Sequence, residues 1–318
     1  MNKYDVSVVV ATYNPDFENL KRTIYSVLNQ RSVRFEIIVA DDGSKENHID
    51  KLNDIFQSYG FSDYKYSISP ENCGTVKNIS RALSLCNGRY LKLISPGDYL
   101  YDSSTLKDWI EYSDENECRV SFSRYVKYAP DINFSKDYIN HISVGDRPWN
   151  LSVYTPINRK KISYRYLLLD DFCLGAATLI NTDVFKKYID LIEGTVIFCE
   201  DAVYRLMIAD GMIPLFFDRY TIWYSYGDGI STKRNKRWAN IIDLDHYNAG
   251  LVIRNRIGCL DWFEFRYRIL LKLSKYNFIK ATIKYAIFPS LILYRLSKYN
   301  NLNYKEYDVQ LLKQLFDL

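Results

Sequence analysis

The chain has 318 residues, of which 47% are hydrophobic, 16% aromatic and 25% charged, with a net charge of +4. Those proportions exclude a disordered, collagenous or small disulfide-framed protein. They leave a globular chain with a sizeable core, organised as one large domain or two smaller ones. The six cysteines (Cys73, Cys86, Cys118, Cys173, Cys199, Cys259) are far apart and form no C-x-x-C pair. They read as reduced, mostly buried thiols of a cytosolic protein. Three histidines without clustered ligands argue against zinc. Met1 leads straight into a strand, so no secretory signal peptide is expected. No apolar run approaches the roughly 18 to 20 residues of a spanning helix.

Five of the six residues from Val6 to Ala11 are apolar and four are Val. A short β-branched run of this kind predicts a strand buried on both faces. Asn14-Pro15 ends it. From Phe17 to Gln30, Leu20, Ile24, Val27 and Leu28 recur at helical spacing. Phe35 to Ala40 is a second buried strand, closed by Asp41-Asp42-Gly43-Ser44. In open α/β sheets ligands sit outside the carboxyl ends of the strands. Thr12, Tyr13, Asn14, Asp41 and Asp42 are therefore expected along one crevice.

A helix is predicted over Ile49 to Tyr59, a strand over Tyr64 to Ser69, and a helix over Lys77 to Cys86 with Gly88 as its C-cap. Tyr90 to Ile94 is the next strand, closed by Ser95-Pro96-Gly97-Asp98. This βαβαβαβ order implies a mainly parallel sheet. Ser103 to Glu117 reads as helix and Val120 to Tyr128 as strand. From Ala129 to Leu168 periodicity fades, which reads as a long, partly ordered insert. Asp170 to Asn181 regains order, and its small residues Gly175, Ala176 and Ala177 would let a backbone approach a ligand. A helix follows over Asp183 to Ile192, then strand-like Thr195 to Phe198 and a helix over Glu200 to Ala209. Two strands, Ile213 to Phe217 and Tyr220 to Tyr224, precede a glycine-rich turn over Gly227 to Thr232. From Arg266 to Lys305 there are nine Lys or Arg and no Asp or Glu, interleaved with apolar residues and divided by Pro289. A helical apolar stripe with a basic opposite face is the mark of a helix lying on an anionic membrane surface, or of a helical pair packed on its own domain or on a dimer partner. Nucleic acid is disfavoured, because no recognition motif accompanies the charge.

The ordered set VSVVVATYN…SVLNQ…FEIIVADDGS, Asn72-Cys73-Gly74-Thr75-Val76-Lys77-Asn78, Gly88-Arg89-Tyr90-Leu91 and Glu200-Asp201 resembles the family 2 glycosyltransferases over roughly residues 4 to 232. That family has the GT-A fold. The resemblance implies an α/β, Rossmann-like, mainly parallel sheet flanked by helices, with a helical C-terminal extension. Residues 1–102 would be the nucleotide-sugar-binding half, 103–235 the acceptor half, including the insert, and 236–318 the basic extension. It implies an inverting transfer from a nucleoside-diphosphate donor, UDP by analogy, to a hydroxyl of a glycan. A lipid-linked capsule or O-antigen intermediate at the inner face of a bacterial membrane suits the basic tail.

Such a transfer must hold the nucleoside, offset charge on the leaving diphosphate and supply a base to the acceptor. The resemblance assigns donor contacts to Ala11, Thr12, Tyr13, Asn14, Asp41, Asp42, Lys77, Ser95, Gly97 and Asp98, with Tyr13 stacking the base ring and Asp42 accepting from its N–H. Asp41 and Asp42 alternatively only cap the following turn, and Lys77 is alternatively a solvated surface lysine. Where the family carries D-x-D or D-x-D-D, this chain has Ser95-Pro96-Gly97-Asp98, so Asp98 alone remains to ligate Mg²⁺ or Mn²⁺. One carboxylate with the substrate phosphates can suffice. A tight turn and metal-independent transfer are the alternatives. The general base falls to Asp201, with Glu200 as its neighbour or an acceptor-binding residue; an N-cap pair is the structural alternative. Lys233, Arg234, Lys236 and Arg237 reach either a phosphate group or only solvent. A homo-oligomer is left open. The depleted D-x-D keeps a non-catalytic nucleotide-sugar binder or assembly subunit as the rival. Neither a nucleotidyltransferase loop nor a G-x-G-x-x-G follows the first strand.

Overall fold

The computed structural model describes residues 3–130, 139–145, 147–148, 151–169, 171–226, 236–256, 262–273, 283–296 and 305–317. The first half alternates strand and helix: β1 (Tyr4–Thr12), α1 (Phe17–Leu28), β2 (Phe35–Asp41), α2 (Ile49–Ser58), β3 (Tyr64–Ile68), α3 (Thr75–Leu83) and β4 (Gly88–Ile94). After these come β5 (Tyr99–Leu100), α4 (Thr105–Glu115), β6 (Val120–Pro130), β7 (Ile139–Val144), α5 (Arg159–Leu168), β8 (Thr178–Asn181), α6 (Thr182–Ile189), α7 (Ala202–Ala209) and β9 (Leu215–Ser225). The C-terminal helices include α8 (Lys236–Arg256), α9 (Trp262–Leu273), α10 (Leu291–Leu296) and α11 (Val309–Phe316). Pro289 lies in the turn before α10.

The strands form one sheet in the order β3-β2-β1-β4-β8-β6-β9-β5, with β7 on β6. β1 to β4 are mutually parallel, so their carboxyl ends open on one edge. β8 then runs antiparallel to both β4 and β6. The alternation in β1 decides which side each valine serves. Val6, Val8 and Val10 pack with α1, α2 and α4, while Val9 joins the opposite core with α3, α6 and α7. All four are fully buried, each stabilising the fold by ~1.5–3 kcal/mol. Asp16 caps α1, its carboxylate accepting from Asn19 N at 2.9 Å, which is worth about 1 kcal/mol.

Several sequence expectations are corrected. Gly88 is not a C-cap: α3 ends at Leu83, and Gly88 opens β4 where a Cβ would collide with the Val6 and Ser7 backbone of β1. Thr195 to Phe198 is a series of turns rather than a strand, and the helix after it begins at Ala202. The two strands expected over 213–224 are one, β9, which slips register against β6 near Arg124. Asp218 and Arg219 look like a break, but they turn aside to pair with Arg124 and Asp102. Much of the expected insert is ordered. β6 runs on to Pro130, β7 pairs with it, and α5 is a helix. α5 lacks an amphipathic stripe because Ile162, Arg165, Tyr166, Leu167 and Leu168 are all buried, with Arg165 paired to the buried Asp171 at 3.1 Å. Residues 131–138, 146 and 149–150 of that stretch lie outside the described residues.

The C-terminal helices share the cores of the preceding chain. α8 packs on α7, and Tyr267, Leu270 and Leu271 of α9 enter the same core. α11 returns to α1, burying Leu312 and Leu315 beside Tyr99 and Trp223.

Candidate active site

At the carboxyl ends of β1 and β2 the polar residues divide into two sets. Asp41 is buried; its carboxylate accepts from Thr12 Oγ1 at 3.0 Å, Ser44 N at 2.9 Å and Ser44 Oγ at 2.5 Å. Asn14, at φ 44°, accepts from Lys45 N and donates its own N–H to Ser44 Oγ. Thr12, Asn14 and Asp41 thus brace the two loops. Ala11 is half-buried in β1, while the Tyr13 ring is 53% exposed. Asp42 reaches across to α3, accepting from Cys73 N and Gly74 N, both at 2.9 Å. Burial pushes its carboxyl up, against those two N–H groups. A carboxylate has about four acceptor sites, and these two amides use two of them. Lys77 stands exposed in the first turn of α3.

The end of β4 forms a second wall. Ser95 to Asp98 is a turn held by Asp98 N on Ser95 O at 2.9 Å, with Gly97 at φ 96°. Thr23 accepts from Gly97 N and donates to Asp98 O, both at 3.0 Å, while Tyr128 donates its hydroxyl to Gly97 O. The Asp98 carboxylate is 7% exposed and accepts from Ser225 N at 3.0 Å. Burial raises it to about 7, against the Ser225 amide and the charge of Lys92. Lys92 is fully buried in β4, donating to Leu93 O at 2.8 Å and to Ala176 O. Burial pulls its ammonium down to about 7. Among the described residues no three His, Cys, Asp or Glu side chains are grouped to hold a metal ion. A single buried carboxylate, about half ionised at pH 7 and already accepting from a backbone amide, would hold a divalent cation only together with substrate phosphates.

The third wall is the turn before α7. Glu200 and Asp201 are half-buried. Asp201 occupies the N-cap position, yet its side chain makes no capping bond. The acidic pair is therefore not there to cap the helix. Gly175 lies alongside, its missing Cβ 3.9 Å from Asp201 Cβ and from the Tyr204 ring. Burial and the neighbouring Asp201 charge raise Glu200 to about 8. Burial also raises Asp201, but His246 and Arg205 oppose the shift. Burial thus raises both carboxyls, and the charge of one opposes ionisation of the other. Val76 N donates to Ile197 O at 3.0 Å, so this turn and the Asp42 wall share the start of α3.

The sequence profile of Glycosyl transferase family 2 matches residues 7–189, more than half of the chain. The chain belongs to that family. Over 128 residues, 40% of this chain and 48% of the relative, it is 30% identical to a Bacillus subtilis protein provisionally named a teichuronic acid biosynthesis glycosyltransferase, TuaG. It is 27% identical over 133 residues, 36% of this chain and 45% of the relative, to an uncharacterized glycosyltransferase of Methanocaldococcus jannaschii. The chain spans about half the length of these curated relatives. Its fold is similar to that of S. aureus TarS 1-349 in complex with UDP-GlcNAc (TM-score 0.56, 16% identity, 98% of this chain and 81% of that one). It is also similar to the same protein in complex with UDP (TM-score 0.53, 16% identity, 91% and 78%). At that identity the likeness shows the fold alone, which is GT-A.

In this family 2 chain, three features of the site escaped sequence reasoning. Lys92 was visible as a lysine inside an apolar strand, but nothing in its neighbours showed that it would be fully buried. Ser225 meets Asp98 across 127 positions of chain. Asp245 and His246 of α8 lie far beyond the matched region, with no local motif to mark them. The glycine-rich turn and Lys233 and Arg234 lie outside the described residues, as do the side chains of Lys236 and Arg237.

Proposed function

We propose that this protein is an inverting glycosyltransferase that moves a sugar from a UDP-linked donor to a hydroxyl of a bacterial surface-polysaccharide intermediate. The observation that carries the reading is the Glu200–Asp201 pair at the start of α7, where Asp201 makes no capping bond and burial raises both carboxyls. In this reading Tyr13 stacks the uracil and Asp42 accepts its ring N–H. Ala11, Thr12, Asn14, Asp41, Ser95, Gly97 and Asp98 shape the donor bed. Asp201 removes the acceptor hydroxyl proton as that oxygen bonds the anomeric carbon. The bond to the diphosphate breaks on the opposite face and its electron pair leaves with UDP. Glu200, protonated, donates a hydrogen bond to the acceptor. Lys77 and the basic residues after Thr232 offset charge on the diphosphate, together with the N-terminal dipole of α3. Asp98 would hold Mg²⁺ or Mn²⁺ only together with the donor phosphates, and no step here uses one.

TuaG by name and the TarS–UDP-GlcNAc complex support a cell-surface polymer and an N-acetylhexosamine donor; capsule and O-antigen units share that chemistry. A lipid-linked acceptor at the membrane surface suits α9 and α10. The exposed Phe265 and Ile269 alternate with the exposed Arg268 and Lys272, and Ile292 and Leu293 are 53% and 71% exposed. Among the described residues no helix is long and apolar enough to cross a membrane, so contact would be peripheral. Failure of the full chain to float with anionic liposomes would remove this part.

The test is calorimetric titration of UDP, GDP and ADP, each with and without Mn²⁺. Selective UDP binding, lost in Asp42→Ala, is expected. UDP binding that needs Mn²⁺ and disappears in Asp98→Ala would restore the metal. No nucleotide binding at all would favour the second reading, a non-catalytic assembly subunit, which the loss of acidic residues at Ser95 and Gly97 motivates.

A further inference from the structure

Helix α8 grips the turn that carries the acidic pair. Asp245, 1% exposed, points its carboxylate at three successive amides. Oδ1 accepts from Ile197 N at 3.1 Å, and Oδ2 accepts from Phe198 N at 2.6 Å and Cys199 N at 3.1 Å. One turn further on, Asn248 Nδ2 donates to Thr195 O at 2.9 Å. Two turns earlier, Trp238 meets the Phe198 ring edge-on at 5.1 Å and 87°. Positions 238, 245 and 248 fall on one face of a helix, at spacings of seven and three. On its other side the same turn is held by α3, through Val76 N on Ile197 O and the missing side chain of Gly74. Residues 195–199 are thus clamped between the donor wall and the C-terminal segment, and Glu200 and Asp201 follow at once.

We propose that Asp245 is a positioning residue for the transfer, presetting the Glu200–Asp201 turn from a helix that lies beyond the family-matched region. A carboxylate accepting three amides in a row fixes the backbone in the manner of an anion in a nest. A misplacement of ~1 Å can cost ~100-fold in rate even when introduced away from the chemistry. The inference rests on Glu200 and Asp201 being the catalytic carboxylates. If Asp245 merely satisfied buried amides, its loss would lower stability and leave the chemistry of the folded fraction unchanged.

The test uses the full chain, the UDP-sugar that it hydrolyses fastest with water as acceptor, and Asp245→Asn. Asparagine keeps the size and one acceptor but loses the charge and the second acceptor oxygen. Turnover is expected to fall about 30-fold or more, with UDP affinity within about twofold of wild type. The acid limb of the rate profile should also move to lower pH, because the Asp245 charge is one of the groups that raise Asp201. Asp201 is faced by Asp245 and His246 from α8, Arg205 and Tyr204 from α7, Tyr166 from α5, and Glu200 and Cys199 beside it. Wild-type turnover and an unmoved pH limb in a less stable Asp245→Asn would overturn the inference. Asn248→Ala serves if Asp245→Asn does not fold: a fall of about 3- to 10-fold in turnover at unchanged UDP affinity is expected, and wild-type turnover overturns it. Asp201→Asn separates the two levels. If it keeps turnover, the reading of the acidic pair fails; if it is inactive while the Asp245 and Asn248 variants are normal, only the clamp fails.

Discussion

Replacing Gly74 by alanine tests whether the Asp42 wall and the Glu200–Asp201 turn are one mechanical unit. Gly74 has φ 89° and ψ 158°, a backbone region essentially reserved for glycine, in which another residue costs ~1–3 kcal/mol. A Cβ there would also stand 2.6 Å from Ile197 O and meet the Ile197 side chain. Ordinary contact begins at 3.4 Å, so the turn must retreat by about 0.8 Å. It cannot do so freely, because the amides of Ile197, Phe198 and Cys199 are tied to Asp245. Gly194 is the matched control: it too has positive φ, 77°, but nothing lies within 4 Å of its missing Cβ. Gly194→Ala therefore carries only the conformational penalty, ~1–2 kcal/mol. Gly74→Ala should lose about 2 kcal/mol more by denaturant unfolding, and its turnover should fall ~100-fold, whereas Gly194→Ala should turn over normally. Equal stabilities and equal turnover in the two variants would refute the coupling between α3 and the acidic turn.

Other outcomes follow from the same geometry. Asp42→Asn keeps one acceptor for the Cys73 and Gly74 amides but loses the anion, and UDP affinity should fall about tenfold in calorimetry; an unchanged affinity would place the uracil elsewhere. Glu200 holds its proton to about 8 in the folded chain, whereas the unfolded chain releases it near 4.5. The folded state then binds the extra proton, so stability falls as pH rises from about 4.5 through about 8. Glu200→Gln should remove that slope and exceed wild type by about 1–3 kcal/mol in urea unfolding at pH 8 while matching it near pH 4; parallel pH curves would contradict the raised carboxyl. Arg165→Met strips the guanidinium from the fully buried Asp171 and should cost ~3–5 kcal/mol, read as a lowered urea midpoint. Deleting residues 309–318 removes Leu312, Leu315 and the Phe316 ring, which lies 4.7 Å from the Arg22 guanidinium. That should destabilise by ~3–5 kcal/mol, and a wild-type unfolding curve would show that α11 does not belong to the core.

The alternation of strand and helix through Ile94 was legible because those elements carry their own evidence. Val6 to Ala11 can only be buried on both faces, and Leu20, Ile24, Val27 and Leu28 can only face inward as a helix. The crevice at the strand ends followed from that order. α5 was illegible for the opposite reason. With Arg159 to Lys161 exposed and four successive residues from Arg165 to Leu168 buried, the helix shows no periodic contrast, and Arg165 reads as surface until Asp171 is seen against it. Gly88 misled because a glycine after a helix usually caps it, and only the neighbouring strand reveals the close approach that requires it.

By itself the sequence determined the fold class and the family, since each rests on residue types at short spacing. Only the tertiary structure decided what those residues can do. It spends the Asp41 carboxylate on loop bracing, buries Asp98 against Ser225, and brings Asp245 from α8 to three amides beside Glu200. Desolvation, charge neighbours and hydrogen-bond partners set the chemistry of a carboxylate, and here they come from elements up to 127 positions apart in the chain.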